Sequence, residues 1–397
     1  MIDALDGVPL THERVALQTS GVDGPLHLHV VTAGPTDGAP VILLHGFPDA
    51  WIGWSKQIPV LARAGYRVIV PDQRGFGPSD KPRGHAAYFM RHLIDDVVAL
   101  QDALCGGAPT HVVGHDWGGG VAWGLAATRP ERVRTLTILN CPRPEVMKRF
   151  AVRHPGQIAR SFYMALFQVP WISERVLAAG RLRSEVRRWH KRAPHTDEEW
   201  AELTANWSSP ATVLPMLNWY RAAFRDRAIE ERVTVPTVLV WGTRDDALDE
   251  AMGPLSLATC DDARLVIAEN GGHFVQRSRP DVVNPAILEH LAAHGGPDPL
   301  VYKIVRADVW AAAPDPWPGS PDDLRDGFVH LSTAAQVEGT LAKHFAGQQG
   351  LIVLTVDLAR LPADAVKWER SRGDQLFPHL YVGLPKAAIV GVEPRLA

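Results

Sequence analysis

The chain is poor in the residues that make staples, metal cages and membrane anchors. Its three cysteines, Cys105, Cys141 and Cys260, are far apart and odd in number. That pattern excludes a disulfide framework and a paired-cysteine metal site, and it fits reduced packing residues. No apolar run approaches the roughly 18 residues that a membrane helix needs. No N-terminal stretch joins a basic head to an apolar segment, so a cytoplasmic location is expected. Positive charge is not in excess either: 41 Lys and Arg stand against 44 Asp and Glu, a net charge of -3. Such a balance gives no electrostatic reason to expect nucleic acid or a membrane as partner. Tyrosine is scarce, at six residues, which makes the setting of each one informative. With 46% hydrophobic residues this is an ordinary globular composition, and the expected partners are small molecules. Its 397 residues suffice for two domains at about 100 to 200 residues each.

From Leu26 to His290 short β-branched runs alternate with longer amphipathic stretches, the pattern of a parallel sheet covered by helices. Strands are expected at Leu26 to Val31, Val41 to Leu44, Arg67 to Val70, His111 to Val113, Thr135 to Leu139, Thr237 to Trp241 and Arg264 to Ile267. Leu93, Val97, Leu100 and Leu104 recur at helical spacing and bury one stripe against that sheet. The alternation fails between about Pro142 and Arg232, where Trp, Arg and Met accumulate in helical segments. This stretch is expected to be a helical cap over the carboxyl ends of the strands, where open α/β sheets bind ligands. Gly295-Gly296-Pro297-Asp298-Pro299 cannot hold regular structure and places a linker at 295–300. It divides a first unit, 1–294, from a second, 301–397.

Chemistry is concentrated where the apolar run His111 to Val113 meets Gly114-His115-Asp116-Trp117-Gly118. The flanking glycines let a strand turn sharply into a helix and expose the central side chain. Here that side chain is a carboxylate where an esterase would carry serine. A carboxylate attacking a saturated carbon gives an alkyl ester that water can later cleave, so the substrate carries an electrophilic sp3 carbon. Cleaving that ester needs a base and a group to orient it. His273, in Gly271-Gly272-His273-Phe274, and Asp245, in Gly242-Thr243-Arg244-Asp245, follow later strands in the order nucleophile, acid, histidine. Asp246 is the rival to Asp245, which is preferred for its spacing from Gly242. The tetrahedral oxyanion needs two backbone donors, and the Phe47 and Trp117 amides are the candidates.

In this setting His45 to Asp49, Ala64 to Val68, Asp72-Gln73-Arg74-Gly75-Phe76-Gly77, Gly114 to Gly119 and Pro130 to Arg134 resemble, in order, the soluble epoxide hydrolases of the α/β-hydrolase fold. The resemblance spans most of the first three-quarters of the chain. It implies two cap tyrosines that donate to the opening epoxide oxygen. Tyr163, in Tyr163-Met164-Ala165-Leu166-Phe167-Gln168-Val169-Pro170, and Tyr220, in Leu217-Asn218-Trp219-Tyr220-Arg221, match those segments, with Trp219 and Phe167 lining an apolar substrate pocket. The product is then a vicinal diol, and neither metal nor organic cofactor is required. The alternative is a hydrolytic haloalkane or haloacid dehalogenase, since haloalkane dehalogenases share the elbow tryptophan. Those enzymes resemble the chain less, because Phe47 offers no side-chain donor to a halide and no arginine flanks Asp116.

The second unit reads as a small α+β domain. Strands are expected at Val301 to Val305, Leu351 to Val356 and Ala388 to Val392, with a helix from Ala334 to Phe345. Tyr302 to Ile304, Asp326 to Ser332 and Phe377 to Tyr381 resemble a bacterial family of unknown function thought to be related to ADP-ribosyltransferase folds. The resemblance implies an alternative in which this unit binds NAD or docks a partner. Its candidate site residues are His330, His379 and Tyr381, with Ser332 and Glu369 beside them.

Overall fold

Runs such as Val41-Ile42-Leu43-Leu44 and Val238-Leu239-Val240-Trp241 are apolar on both sides of the chain, and only a strand covered on both faces buries them. Every one of those eight side chains is fully buried. The computed structural model describes residues 2–177, 184, 187, 195–205, 207, 209–227, 229–295, 300–362, 365–371 and 376–395. Within them β1 (Thr11–Leu17), β2 (Leu26–Ala33), β3 (Pro40–Leu44), β4 (Arg67–Pro71), β5 (Thr110–His115), β6 (Val133–Leu139), β7 (Thr237–Gly242) and β8 (Ala263–Ala268) form one sheet. Its order is β8-β7-β6-β5-β3-β4-β2-β1.

Pairings from β4 to β8 are parallel, whereas β4 with β2 and β2 with β1 are antiparallel. The expected parallel sheet is therefore mixed. The strand that sequence reading did not place is β1, where Glu13, Arg14 and Ala16 are exposed. Polar residues on an edge strand discourage pairing with other chains and also erase the apolar run that marks a strand.

Between strands, α1 (Ile58–Arg63), α2 (Met90–Cys105) and α3 (Trp117–Thr128) pack against the sheet. On α2 the stripe of Leu93, Val97 and Leu100 is buried as its spacing requires. Helix α3 is buried from Gly118 to Ala127, which suits a helix at the centre of the fold.

Between Pro142 and Arg232 the described residues hold helices and no strand: α4 (Pro144–Arg153), α5 (Pro155–Arg160), α6 (Phe162–Leu166), α7 (Ile172–Val176), α8 (Asp197–Thr204) and α9 (Pro210–Ala223). This is the helical cap, though its stretch from 178 to 194 lies, apart from 184 and 187, outside the described residues. Glu199 of α8 clamps the cap to the main body. It accepts from Ser55 Oγ at 2.5 Å and pairs with Arg277 at 2.9 Å, and these partners hold its carboxyl down at about 2 although burial opposes its ionisation.

After α10 (Pro280–Ala293), linker residues 296–299 fall outside the described residues. Beyond them β9 (Leu300–Arg306), β10 (Val329–His330), β11 (Leu351–Asp357), β12 (Val366–Arg370), β13 (Leu376–Leu380) and β14 (Ile389–Arg395) make two antiparallel sheets, ordered β9-β11-β14 and β10-β13-β12. Helix α11 (Ala334–His344) lies against β9. Strands β10, β12 and β13 were not expected. The first has two residues, β12 carries Lys367, Glu369 and Arg370, and β13 contains Pro378, a residue that normally argues against a paired strand. Buried apolar residues up to Leu291 form one cluster, and those from Val301 onward form others.

Candidate active site

Strand β5 ends at His115 and α3 begins at Trp117, which leaves Asp116 at φ 49°, ψ -122°. That is a backbone conformation side-chain-bearing residues seldom adopt, held here by its surroundings. A Cβ on Gly118 would lie 2.1 Å from the Leu44 carbonyl oxygen, and one on Gly46 would lie 2.4 Å from the Asp116 Cβ. Only glycine lets the turn after β3 press against the nucleophile elbow. That closeness lets the Phe47 N–H donate to Asp116 Oδ1 at 2.8 Å. The Trp117 N–H opens α3 and so has no acceptor within the helix.

His273 stands on the other side of the carboxylate, with its Nε2 3.5 Å from Asp116 Oδ2. Its Nδ1 is 2.9 Å from Asp245 Oδ2, so this nitrogen carries the proton and donates to the carboxylate. Asp245 is the partner of His273. Its other oxygen accepts from the Ala247 and Leu248 amides at 2.8 and 2.9 Å.

Burial opposes ionisation of both aspartates, yet His273 outweighs it and holds each below the usual carboxylate range. Burial likewise opposes protonation of His273, but Asp245 and Asp116 push the imidazole up to about 10. The unreacted site is therefore an imidazolium between two carboxylates.

Tyr163 of α6 and Tyr220 of α9 meet over this group, with ring centroids 5.9 Å apart. Burial, reinforced by the Asp116 charge, raises both phenols above their ordinary range, so both keep their protons. Trp117 stands edge-on to Tyr220 at 5.0 Å. The cavity beside Asp116, about 210 Å³, is lined by Trp117, Tyr163, Tyr220 and Trp219 and by Met90, Met147 and Met164. Trp219 also donates its Nε1–H to the Arg74 carbonyl at 3.1 Å.

Phe167 does not line this cavity, contrary to expectation. It stands behind the tyrosines, with its ring 5.4 Å from Tyr163, 5.0 Å from Tyr220 and 5.6 Å from Phe47.

Three residues that sequence reading passed over complete the site. Asn140 donates to Asp245 Oδ2 at 2.6 Å and accepts from the Gly242 N–H at 2.9 Å, so one amide side chain fixes the acid to the end of β7. A buried asparagine directly after the apolar run of β6 was the available signal. His115 Nε2 donates to the His273 carbonyl at 2.9 Å, and burial pushes its imidazole down to about 4. Asp49 is buried beside the Phe47 turn, and burial pushes its carboxyl up to about 7.

In the C-terminal unit three of the candidates, His330, Ser332 and His379, come together at one cavity of about 210 Å³, lined also by Tyr302, Lys303 and His344. Glu369 accepts from His379 Nδ1 at 2.7 Å and from the Tyr381 hydroxyl at 2.8 Å, while His330 Nδ1 lies 2.8 Å from Asp323. Tyr381 lies outside the cavity lining.

Residues 39–280 match the family model of the alpha/beta hydrolase fold, and residues 304–392 match that of a protein of unknown function (DUF952). The chain is 39% identical to the AB hydrolase superfamily protein YfhM of Bacillus subtilis (strain 168), over 66% of this chain and 94% of the relative. It is 33% identical to Epoxide hydrolase 3 of Xenopus tropicalis, over 70% of this chain and 77% of the relative. Among solved structures, one of the epoxide hydrolases from metagenomes of hot environments is 33% identical, with a TM-score of 0.63 over 72% of this chain and 100% of the other. Epoxide Hydrolase A from Mycobacterium thermoresistibile is 26% identical, with a TM-score of 0.60 over the same shares.

Proposed function

Because the chain belongs to the α/β-hydrolase fold family, and within it to the epoxide hydrolases, we propose that it opens epoxides to vicinal diols through an ester on Asp116. Asp116 Oδ2 attacks an epoxide carbon from the side opposite the ring oxygen. The C–O bond of the ring breaks, and Tyr163 or Tyr220 protonates the leaving alkoxide. Esterification removes one of the two charges that raise the His273 pKa. The proton His273 then releases replaces the one lent by the tyrosine, and the histidine becomes a neutral base. It takes a proton from water, whose oxygen attacks the Asp116 carboxyl carbon. Oδ1, already hydrogen-bonded to the Phe47 amide, becomes the oxyanion, with the Trp117 amide as second donor. Collapse returns the carboxylate and the imidazolium and frees the diol.

The observation that carries this reading is the placement of Asp116 between the Phe47 amide and His273, under two tyrosines that hold their protons. A single turnover of an aryl epoxide in heavy-oxygen water, with enzyme in excess, tests it. Label is expected first in the Asp116 carboxyl group. Label that enters the diol directly and never the protein would overturn the covalent route.

We propose residues 301–397 as a separate domain with a binding or structural role, and its His330 and His379 cavity as the place where a ligand would enter. NAD binding by the whole chain, lost on His379→Ala, would assign that ligand, and its absence would leave docking of a partner as the role to examine.

A further inference from the structure

We propose that the outer face of the cap docks on an anionic lipid surface. The segment through α5 and α6 is apolar in two directions. Tyr163 and Phe167, four residues apart, turn inward onto Tyr220 and Phe47. Ile158, Phe162 and Leu166 recur at the same spacing, one step out of phase, and are 53%, 61% and 53% exposed. A surface helix has one apolar stripe for the core, so a second one marks an interaction surface.

The stripe leads to Trp171 and Ile172, 73% and 63% exposed. Trp171 sits at φ 69°, a strained conformation for a bulky residue, and it presents its indole to solvent. Tryptophan with aliphatic neighbours is the composition that enters the headgroup boundary of a bilayer.

Charge identifies the partner. Between residues 148 and 177 the sequence carries five Lys and Arg against one acidic residue, Glu174, in a chain whose net charge is -3. Glu174 is buried and paired with Arg221 at 2.8 Å, so it offers nothing to the surface. Arg149 pairs with Glu230 and Arg160 with Asp249, while Lys148, Arg153 and Arg175 make no ion pair among the described residues.

A second copy of the chain fits this face poorly, because an isologous contact would set these cations against themselves. Anionic lipid headgroups satisfy cations and indole together. The whole-chain balance that gave no reason to expect a membrane averages this local excess away. Met164 and Lys148 line the cavity beside Asp116 and belong to the same part of the cap, so the docked face lies next to the cavity wall. The docking itself does not depend on which substrate is turned over.

Co-sedimentation of the full chain with vesicles of phosphatidylcholine alone, and of phosphatidylcholine mixed with phosphatidylglycerol, tests the proposal. Binding is expected to the mixed vesicles, at least about tenfold above the neutral ones, and to weaken as salt is raised. Arg153→Glu with Arg175→Glu should lower it by roughly fivefold or more for each cation changed. Phe162→Ser with Trp171→Ser should abolish it. None of these side chains belongs to the catalytic group, so turnover of a soluble epoxide and an unchanged melting temperature serve as the folding control. No sedimentation with either vesicle, equal binding to both, or binding that these substitutions leave unmoved would overturn it. So would a dimer in analytical ultracentrifugation that Phe162→Ser with Trp171→Ser dissociates, since that assigns the face to a second copy.

Discussion

In the proposed mechanism His273, held between two carboxylates, is both the stabilised ion of the unreacted site and the base of the second step, and replacing it separates the two roles. His273→Gln is expected to form the Asp116 ester and stall there. Turnover should fall by about 10²- to 10⁴-fold, with the adduct mass on the intact protein as the direct reading. The same substitution carries a pH signature. Burial works against the imidazolium, but Asp245 and Asp116 raise its pKa from 6.5 to about 10 in the folded chain. A raised pKa contributes stability that is fully present below 6.5 and is lost as pH rises through about 10. The melting temperature of the parent chain should therefore fall toward that of His273→Gln across that window, and a constant difference would contradict the ion-pair picture. At this scale Asp116, Asp245 and His273 were legible because each follows a strand in a glycine-marked turn, a signal local in sequence. Asn140 and Asp49 were not. Their importance arises from atoms brought near by folding, the Asp245 carboxylate for one and the Arg277 and Asp116 charges for the other.

The elbow and the cap act as elements. Gly118→Ala would drive a methyl group into the Leu44 carbonyl oxygen, 2.1 Å away, and the backbone there cannot yield cheaply. A loss of at least about 1 to 3 kcal/mol is expected, read by chemical denaturation, together with loss of turnover as the Phe47 amide shifts from Asp116. In the proposed mechanism the cap helices supply the proton donors for the first step only. Tyr163→Phe with Tyr220→Phe should slow ester formation by about 10²- to 10⁴-fold, while the decay of a preformed ester keeps its rate. Equal slowing of both steps in stopped-flow traces would mean that the tyrosines do something other than protonate the alkoxide. The inner strands were legible because their runs are apolar on both faces. The edge strand β1 was not, because the polar residues that protect an edge remove the apolar run that announces a strand; nor was β13, central in its sheet, because its Pro378 argues against a paired strand. Phe167 was misread for a related reason: helical spacing puts it on the Tyr163 side of its segment, but only packing decides whether such a ring faces the ligand or supports the residues that do.

For the molecule as a whole, the run of glycine and proline near residue 295 lies between buried apolar clusters that end at Leu291 and resume at Val301, while the contacts between the two parts leave no trace in the sequence. Trp368 Nε1–H donates to the Arg63 carbonyl at 2.9 Å and Thr333 Oγ1–H to Asp37 at 2.7 Å, both between residues some 300 apart in sequence. The second unit has its own buried ion pair, Lys303 with Asp323 at 2.6 Å. Asp323→Asn leaves that lysine buried without its countercharge and should cost about 3 to 5 kcal/mol. Calorimetry should then resolve an earlier transition for the C-terminal unit, with epoxide turnover intact below it. The charge distribution has a consequence of its own. Residues 148 to 177 carry +4 against a chain total of -3, so the rest of the chain carries -7. Charge separated this way is a dipole, and a charged plane exerts a torque that orients the molecule before contact. The protein should adhere to both cation- and anion-exchange beads, but by different faces. Enzyme immobilised through the cap would have the cavity-lining Lys148 and Met164 against the support and should work slowly, and enzyme held by its acidic remainder should turn over freely.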